Sequence, residues 1–261
     1  MKILLIADVH HRPGVSRHRQ KTTVKKLKNI INALPADLIV FLGDTVHGPD
    51  FKSDKTLYEK YLREVLDLTK SIPFATVFGN HDDECDISKE EILKIISSYP
   101  NSCTNGKNYT LKTDSETLLF LDSGTYYDGE GSFYDTVKAE TIEWAKAEIE
   151  GEKAILFQHI IVPDIRDITH KKSFNEGVRY TGKIKEAPCP PDINTGELRE
   201  LSPFLKAAVF GHDHKNSFET ELMGVKLIQC AGAGLECYEY PQRPSIKLLD
   251  TKTLKTEYIK I

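Results

Sequence analysis

Histidine, carboxylate and amide side chains follow five apolar runs of the sequence, each within a few residues of the end of the run. In open α/β sheets, ligands bind at the carboxyl ends of the strands. If the five runs are buried strands, the polar residues that follow them should therefore lie close together. The segments concerned are Asp8-Val9-His10, Gly43-Asp44, Gly79-Asn80-His81-Asp82, Gln158-His159 and Gly211-His212-Asp213-His214.

The residue types in these segments suit a metal site with nitrogen and oxygen ligands. Imidazoles, carboxylates and an amide oxygen favour manganese, iron, zinc, cobalt or nickel over calcium or a metal that prefers thiolates. Seven candidate ligands are more than one ion with an open position needs, and they suit two ions about 3.5–4 Å apart. The candidates are Asp8, His10, Asp44, Asn80, His159, His212 and His214.

The charge of such a centre indicates the kind of substrate it would attract. Two divalent ions carry four positive charges, and Asp8, Asp44 and a bridging hydroxide together offset three of them, which leaves about +1. A centre of this charge attracts an anion and stabilises charge that develops on phosphoryl oxygens. The ions would also lower the pKa of a bridging water from about 15.7 toward 7, which produces a nucleophile at neutral pH.

The elements that must position these residues alternate in type over the first hundred residues. Apolar runs and stripes at helical spacing give a βαβαβ order, which predicts an α/β protein with mostly parallel pairing. Ser88 and Glu91 form a capping box, and Ser53 or Asp54 would cap the preceding helix. The strands predicted here are residues 2–7, 38–42 and 74–78.

The second half of the chain has a different pattern. A hairpin is expected at 109–112 and 117–121, a helix at 136–150, and further strands at 154–157 and 207–210. The tail is typical of β-hairpins at 217–222, 225–230, 245–249 and 253–259. Five prolines and three glycines predict a long irregular loop over the site at 162–203. With no clean linker, residues 1–261 are expected to form a single domain.

Composition limits the class of protein. With 39% hydrophobic residues, 28% charged residues and a net charge of −4, the chain is typical of a globular protein and not of a disordered one. The charge argues against long nucleic acid as a partner, although a local basic patch stays open. We expect no membrane segment and no signal peptide, and the five cysteines lack a C-x-x-C spacing. Reduced thiols and a cytoplasmic location are therefore expected.

Taken in order over residues 8–214, these segments resemble the motif set of the calcineurin-like metallophosphoesterases. The resemblance implies an α/β fold, a four-layer α/β/β/α sandwich in which two mixed β-sheets are flanked by helices. It also implies a first metal, a second metal and a carboxylate that bridges them. The implied ligands are Asp8, His10 and His214 for the first metal, Asn80, His159 and His212 for the second, and Asp44 as the bridge.

The resemblance implies a catalytic role for His81, which would stabilise the transition state or protonate the leaving group. The stretch 121–124, the helix that contains Trp144 and the segment 182–201 are similar to intracellular members of the purple-acid-phosphatase-like branch. Purple acid phosphatases proper have a tyrosine ligand three residues after the bridging aspartate, where this chain has His47. The iron–tyrosinate chromophore is therefore not expected.

The expected function is hydrolysis of phosphate esters by in-line attack of a metal-bridging hydroxide, with inversion at phosphorus. A phosphomonoesterase that acts on a small phosphorylated substrate is favoured. One alternative is a phosphodiesterase or nuclease that acts on small diesters. The other is a metal-bound scaffold that makes protein contacts without catalysis.

Several nearby residues permit two interpretations. His47 could approach the first metal or the substrate, although a solvent-exposed loop position is favoured. Arg12 could contact a phosphate oxygen or be a surface charge. Asp82 could orient a site histidine or cap the turn that follows it, and the same two interpretations apply to Asp122. Trp144 is interpreted as core packing.

Overall fold

Two β-sheets form the centre of the molecule in a computed structural model that describes residues 1–14, 17–149, 151, 153–169, 179–235 and 244–261. The first sheet is mixed. Three strands, from the centre of the sheet to one edge, are parallel to one another, and a C-terminal hairpin pairs with them in antiparallel orientation. Its spatial order is β12 (Lys255–Lys260), β11 (Ser245–Asp250), β1 (Lys2–Ile6), β2 (Leu38–Leu42) and β3 (Phe74–Val77).

The second sheet is also mixed, with a parallel centre and antiparallel pairs at both edges. Its spatial order is β4 (Tyr109–Lys112), β5 (Thr117–Phe120), β6 (Ala154–Phe157), β8 (Leu205–Phe210), β10 (Val225–Gln229), β9 (Ser217–Leu222) and β7 (Tyr180–Lys183). The site residues follow the parallel strands of the two sheets, whose carboxyl ends lie at one edge.

Helices cover the outer face of each sheet. The apolar stripes of α1 (Arg17–Ala33), α2 (Lys55–Leu66) and α3 (Lys89–Ser97) pack on the first sheet. Those of α4 (Ala139–Glu148), α5 (Arg166–Thr169) and α6 (Glu197–Leu201) pack on the second. Asp54 caps α2 through the Leu57 amide, and the capping box of Ser88 and Glu91 begins α3.

The strand periodicity separates three apolar layers. Leu4 and Ile6 of β1 contact the helices, whereas Ile3 and Leu5 contact the other sheet, because successive side chains of a strand point to opposite faces. Both faces of the central strands are thus buried, which explains why these runs are apolar throughout and do not alternate. The layer between the sheets fixes their relative position.

The expected fold class is confirmed: two mixed sheets flanked by helices form a four-layer sandwich. The predicted hairpins are present, and Trp144 packs against the core under α4 as expected. The region 162–203 is less irregular than predicted, since it contains α5, β7 and α6; residues 170–178 lie outside the described residues.

The predicted helix 136–150 begins at Ala139 and extends to Glu148, and residue 150 lies outside the described part of the chain. The cysteines at 85, 103, 189 and 230 are free thiols, while Cys237 is outside that part. None of the described helices has the length and apolar character that crossing a bilayer requires.

A buried acid contacts Gln158, the residue that precedes His159. Glu197 begins α6 and is only 3% exposed. Burial raises the pKa of its carboxyl from about 4.5 to about 8, despite a hydrogen bond to Gln158 that acts in the opposite direction. The folded state therefore keeps a proton that the unfolded chain loses near pH 4.5.

This difference predicts a pH-dependent stability. The contribution is fully present below about pH 4.5 and is lost as the pH rises toward about 8, because only the unfolded chain ionises there. Glu197→Gln should melt at a higher temperature than the wild type at pH 8.5 and at nearly the same temperature at pH 5. Glu200→Gln, in the same helix but with a 41% exposed side chain, is the matched control. A melting difference for Glu197→Gln that does not vary with pH would contradict this assignment.

Candidate metal centre

All seven candidate ligands meet at the carboxyl ends of five strands. Each follows its strand by two to four residues, and the two sheets both contribute. Six of the side chains are buried, and the seventh, His214, is 11% exposed. The seven come from the loops after β1 (Asp8 and His10), β2 (Asp44), β3 (Asn80), β6 (His159) and β8 (His212 and His214).

Four of these residues form a first group around Asp8 and Asp44. The Nε2 atoms of His10 and His214 are 3.0 Å apart. Asp8 Oδ1 lies 3.8 Å from the former and 3.3 Å from the latter, and Asp44 Oδ2 lies 3.4 Å from His10 Nε2. One donor atom from each of the four lies within 4.8 Å of every other.

A second group shares Asp44. Its donor atoms, from Asp44, His159 and His212, also lie within 4.8 Å of one another. His159 Nε2 is 3.3 Å from Asp44 Oδ2 and 3.2 Å from Asn80 Oδ1, so the amide oxygen joins this group. The donor atoms therefore fall into two groups that have Asp44 in common.

Apart from the 3.8 Å between Asp8 Oδ1 and His10 Nε2, these spacings fit metal ions. Two ligand atoms that are each about 2.1 Å from one ion are about 3.0–3.4 Å apart at octahedral or tetrahedral angles. Asp44 Oδ2 is buried and receives no hydrogen bond from the described residues, although a buried carboxylate oxygen is normally satisfied. Its other oxygen, Oδ1, accepts a hydrogen bond of 2.8 Å from the His81 amide. A cation at Oδ2 would supply the missing interaction.

A comparison with protein families agrees with this geometry. The model described as calcineurin-like phosphoesterase matches residues 1–216, which is more than four-fifths of the chain. The chain belongs to this family. The family match and the two groups of donors that share Asp44 together support a site for divalent metal ions.

Related proteins carry phosphatase names. The chain is 27% identical to "Probable inactive purple acid phosphatase 14" of Arabidopsis thaliana, and the match covers 98% of this chain and 76% of that protein. It is also 27% identical to "Phosphatase DCR2" of Saccharomyces cerevisiae, over 89% of this chain and 47% of that protein. The purple-acid-phosphatase names agree with the branch expected from the sequence.

Solved structures show the same fold. A dimetal phosphatase from Danio rerio superposes with a TM-score of 0.65 at 14% identity, covering 100% of this chain and 98% of that one. The protein TT1561 of Thermus thermophilus gives a TM-score of 0.61 at 15% identity, covering 99% of this chain and 98% of that one. At such low identity, the likeness concerns the fold alone.

The backbone of this family member is strained at its centre. Four candidate ligands have a positive φ: 50° at Asp8, 47° at His10, 48° at Asp44 and 71° at His212. Such angles are uncommon outside glycine and persist only where the surroundings hold them. Here the His10 amide donates to the Asp44 carbonyl at 2.9 Å, and the His212 amide donates to Asp8 Oδ2 at 3.0 Å.

Asp82 joins two of the loops. Its carboxylate accepts three backbone hydrogen bonds, from Asp44 at 3.0 Å, Thr45 at 3.0 Å and Gly79 at 2.8 Å. Neither of the two interpretations describes these contacts, since the partners are the amides of Gly79 and of the loop after β2, and not a histidine or the turn that follows Asp82. Gly79 must be a glycine because an added Cβ would lie 2.1 Å from Asp44 Oδ1.

Two further contacts orient ligands of the second group. His159 Nδ1 donates to the Leu42 carbonyl at 2.7 Å, which leaves Nε2 available to the centre. The Asn80 amide nitrogen donates to the Tyr126 hydroxyl at 3.3 Å, so its oxygen faces His159. The sequence analysis missed Tyr126, which lies outside the strand-end segments.

Asp44 and His159 depend on each other electrostatically. Burial opposes the ionisation of Asp44, but the adjacent His159 holds the pKa of this carboxyl well below its usual range. Burial alone would lower the pKa of His159, whereas the Asp44 carboxylate raises it to about 10. A proton on His159 thus balances Asp44 in the absence of a cation, and a divalent ion would replace it.

His81 lies beside the Asp44 carboxylate, and Glu84 holds its ring. Its Nδ1 donates a short hydrogen bond to the Glu84 carboxylate. Burial lowers the pKa of His81, but Glu84 and Asp44 outweigh it, and the net pKa is raised above the usual value. The sequence analysis missed Glu84. The available signal was an acid three residues after the candidate histidine His81.

The favoured interpretation of His47 as a solvent-exposed residue is wrong. Its ring lies against His81, with centroids 4.6 Å apart, and its Nδ1 is 3.2 Å from His10 Nδ1. Burial and the neighbouring histidines lower the pKa of His47 to about 4. His47 therefore lies at the edge of the first group, because His11 and Val46 form a bridge that folds this loop toward the centre.

A cavity of about 310 Å³ opens over the centre. Arg12, Tyr134, Glu186 and Cys189 line it together with candidate ligands. The Tyr134 ring contacts His212 edge-on, with centroids 4.6 Å apart. Part of the 162–203 region thus borders the cavity through Glu186 and Cys189.

Of the residues with two interpretations, Arg12 lies near the site and Asp122 does not contact it through the described hydrogen bonds. Arg12 borders the cavity and lies 3.3 Å from Asp50, which places it near the site. Asp122 pairs with Lys89 at 2.8 Å and accepts from the Gly124 amide at 3.0 Å. Asp122 therefore ties its own loop to α3.

The Asp82 contacts generate a prediction. Asp82→Asn replaces one acceptor oxygen by a donor that faces backbone amides, which should destabilise the fold by at least about 2 kcal/mol. Because those amides position Asp44, metal affinity should fall by about 10–100-fold. Chemical denaturation and metal titration by calorimetry measure the two effects.

Asp122→Asn is the matched control for this substitution, since it changes the same groups in a loop that holds none of the candidate ligands. It should leave metal affinity within about threefold of the wild type, as expected for a change outside the ligand shell. Wild-type metal affinity in Asp82→Asn would show that the amide contacts do not position Asp44.

Proposed function

We propose that the protein is a phosphatase that uses two divalent ions to hydrolyse monoesters of small phosphorylated substrates. One observation carries the proposal: two groups of nitrogen and oxygen donors share the Asp44 carboxylate at the base of a 310 Å³ cavity. His81 lies directly beside that carboxylate. Separate groups with a common carboxylate suit a two-metal centre better than a single structural ion.

The proposed ligands follow from the grouping. Asp8, His10 and His214 would hold the first ion, Asn80, His159 and His212 the second, and Asp44 both. Two divalent ions held here would supply positive charge to phosphoryl oxygens and would promote ionisation of water. Nitrogen and oxygen donors of this kind accept manganese, iron, zinc, cobalt and nickel, so metal identity is left to experiment.

The chain's own residues would position the substrate and handle the proton. Glu84 holds His81 through Nδ1, which leaves Nε2 as the ring nitrogen that would donate a proton to the leaving oxygen. Water would attack phosphorus on the side opposite this oxygen. Arg12 lines the cavity and would offer guanidinium hydrogen bonds to a phosphate oxygen.

The size of the cavity supports a small substrate. About 310 Å³ accommodates a phosphate group with a modest organic portion. The name of the yeast relative, a phosphatase, supports phosphate ester hydrolysis. A small diester would fit the same cavity, so diesterase activity is the alternative within the enzyme class.

A second candidate function is a scaffold that holds metal without catalysis. It is favoured by the names of three Arabidopsis relatives, each called a probable inactive purple acid phosphatase. Against it stands the complete set of donors in this chain, together with His81 and its partner Glu84. Loss of catalysis usually removes the need for such a histidine, which makes catalysis the stronger proposal.

An assay with two synthetic substrates tests the proposal. Protein loaded in turn with manganese, iron, cobalt, nickel or zinc should hydrolyse p-nitrophenyl phosphate faster than bis-p-nitrophenyl phosphate. Asp44→Asn should reduce the turnover rate at least about a hundredfold, while its circular dichroism spectrum matches that of the wild type. Faster diester turnover would support the alternative activity. Metal binding without turnover of either substrate would support the scaffold.

A second prediction separates the roles of His81 and Glu84. His81→Ala should lower kcat by about 10²–10⁴-fold with unchanged metal content, because a positioned proton donor contributes that much. Glu84→Gln should lower kcat less, by about tenfold, and leave KM unchanged, because Gln can still accept the bond but carries no charge. Stopped-flow and steady-state kinetics with metal analysis measure these effects.

Asp83→Asn is the control for Glu84, since it alters the neighbouring acid, for which no contact with His81 is described. Its kcat should match the wild type. If Glu84→Gln also keeps wild-type kcat, the contact with His81 is structural only, and if His81→Ala keeps it, His81 is not the proton donor.

A further inference from the structure

Four lysines line a groove between α1 and α2, on the outer face of the first sheet. Lys21, Lys25 and Lys28 are spaced by four and three residues, which places them on one face of α1. Lys60 of α2 lies on the facing wall. The groove has a volume of about 590 Å³, larger than the cavity over the metal centre. Its lining residues are His11, Lys21, Val24, Lys25, Lys28, Lys60, Tyr61 and Glu64.

The charges of this lysine groove are not balanced within the described part of the chain. Its one acid, Glu64, is 2.9 Å from His11 Nε2, and none of the four lysines is within ion-pair distance of a described carboxylate. By contrast, Lys55 of the same helix α2 pairs with Glu91 at 2.8 Å. Four positive charges therefore face one negative charge in a chain whose net charge is −4.

Like charges on two facing walls repel one another, and a concave site concentrates their field. The arrangement therefore favours an anion between the walls. Lysine ammonium groups are compact charges on flexible stems, and they bind phosphate as point charges from several directions. Lysines from both helices, spread over two turns of α1, can reach several phosphates at once, which a single phosphate would not require.

We propose that the lysine groove binds a compact anion with several phosphate groups, such as a polyphosphorylated polyol, either free in solution or as the headgroup of a lipid. The concave shape distinguishes this from a flat electrostatic surface, because Lys60 faces the α1 lysines across the gap. The site is separate from the metal centre and does not depend on the proposed phosphatase activity.

The groove nonetheless adjoins the centre through one residue. The side chain of His11 lines the groove, while its amide donates to the Thr45 carbonyl at 3.1 Å. His11 directly follows the candidate ligand His10, and Thr45 directly follows Asp44. An anion in the groove would thus lie against the outer side of the loops that hold the first group of donors.

Isothermal titration of the protein with inositol hexakisphosphate tests the site. In the double variant Lys25→Gln/Lys60→Gln, which removes one lysine from each wall, the dissociation constant should rise at least about tenfold. The control Lys26→Gln/Lys55→Gln removes the same charge from the same helices outside the groove and should change it less than about threefold. Circular dichroism checks that both variants fold.

Binding at the metal centre is the main competing explanation, and Asp44→Asn distinguishes it. If the groove is the site, Asp44→Asn binds the probe as tightly as the wild type. Loss of binding in Asp44→Asn, equal loss in the two lysine variants, or no loss in Lys25→Gln/Lys60→Gln would each overturn the proposal.

A sedimentation assay identifies the source of the anion. Vesicles that contain phosphatidylinositol 4,5-bisphosphate should bind the protein, and free inositol hexakisphosphate should displace it, if the ligand is a lipid headgroup. Binding of the free probe alone supports a soluble ligand. Equal binding to phosphatidylserine vesicles of the same total charge would show general attraction to a negative surface and would overturn the proposal.

Discussion

The arrangement of the whole centre depends on the buried carboxylate of Asp44. One oxygen is fixed by the His81 amide, and the other lies 3.3–3.4 Å from the ring nitrogens of His159 and His10. A buried carboxylate is unfavourable unless positive charge compensates it. When no metal is bound, protonated His159 can supply that positive charge. Two cations bound to the same carboxylate oxygen would supply more positive charge. The other donors surround this one group.

The centre also joins the two sheets. Asp8, Asp44 and Asn80 follow strands of the first sheet, whereas His159 and His212 follow strands of the second. Direct contacts cross between them: the His212 amide donates to Asp8, and the His159 ring donates to the Leu42 carbonyl. The donors therefore reach their positions only when the apolar layer between the sheets packs, so the site and the fold form together.

The sequence was sufficient to predict the strand-end residues, because hydrophobic runs and their polar followers are local patterns. The residues that orient them were harder to predict. Tyr126 and Tyr134 act through contacts between loops, and Glu84 acts through a contact within the loop after β3. These contacts depend on loop conformation and not on hydrophobic periodicity. His47 was misplaced for the same reason, since the bridge between His11 and Val46 turns its loop inward. The strand β7 was missed because four residues that include a glycine carry no strand signal, and its partner β9 is distant in sequence.

The central claim, that the seven side chains hold two ions on either side of Asp44, has one direct test. Anomalous scattering should be measured at the metal edges on crystals grown with manganese, iron or zinc. The account predicts two anomalous peaks about 3.5–4 Å apart, each within ligand distance of the Asp44 carboxylate. A single peak, or peaks that avoid Asp44, would contradict it.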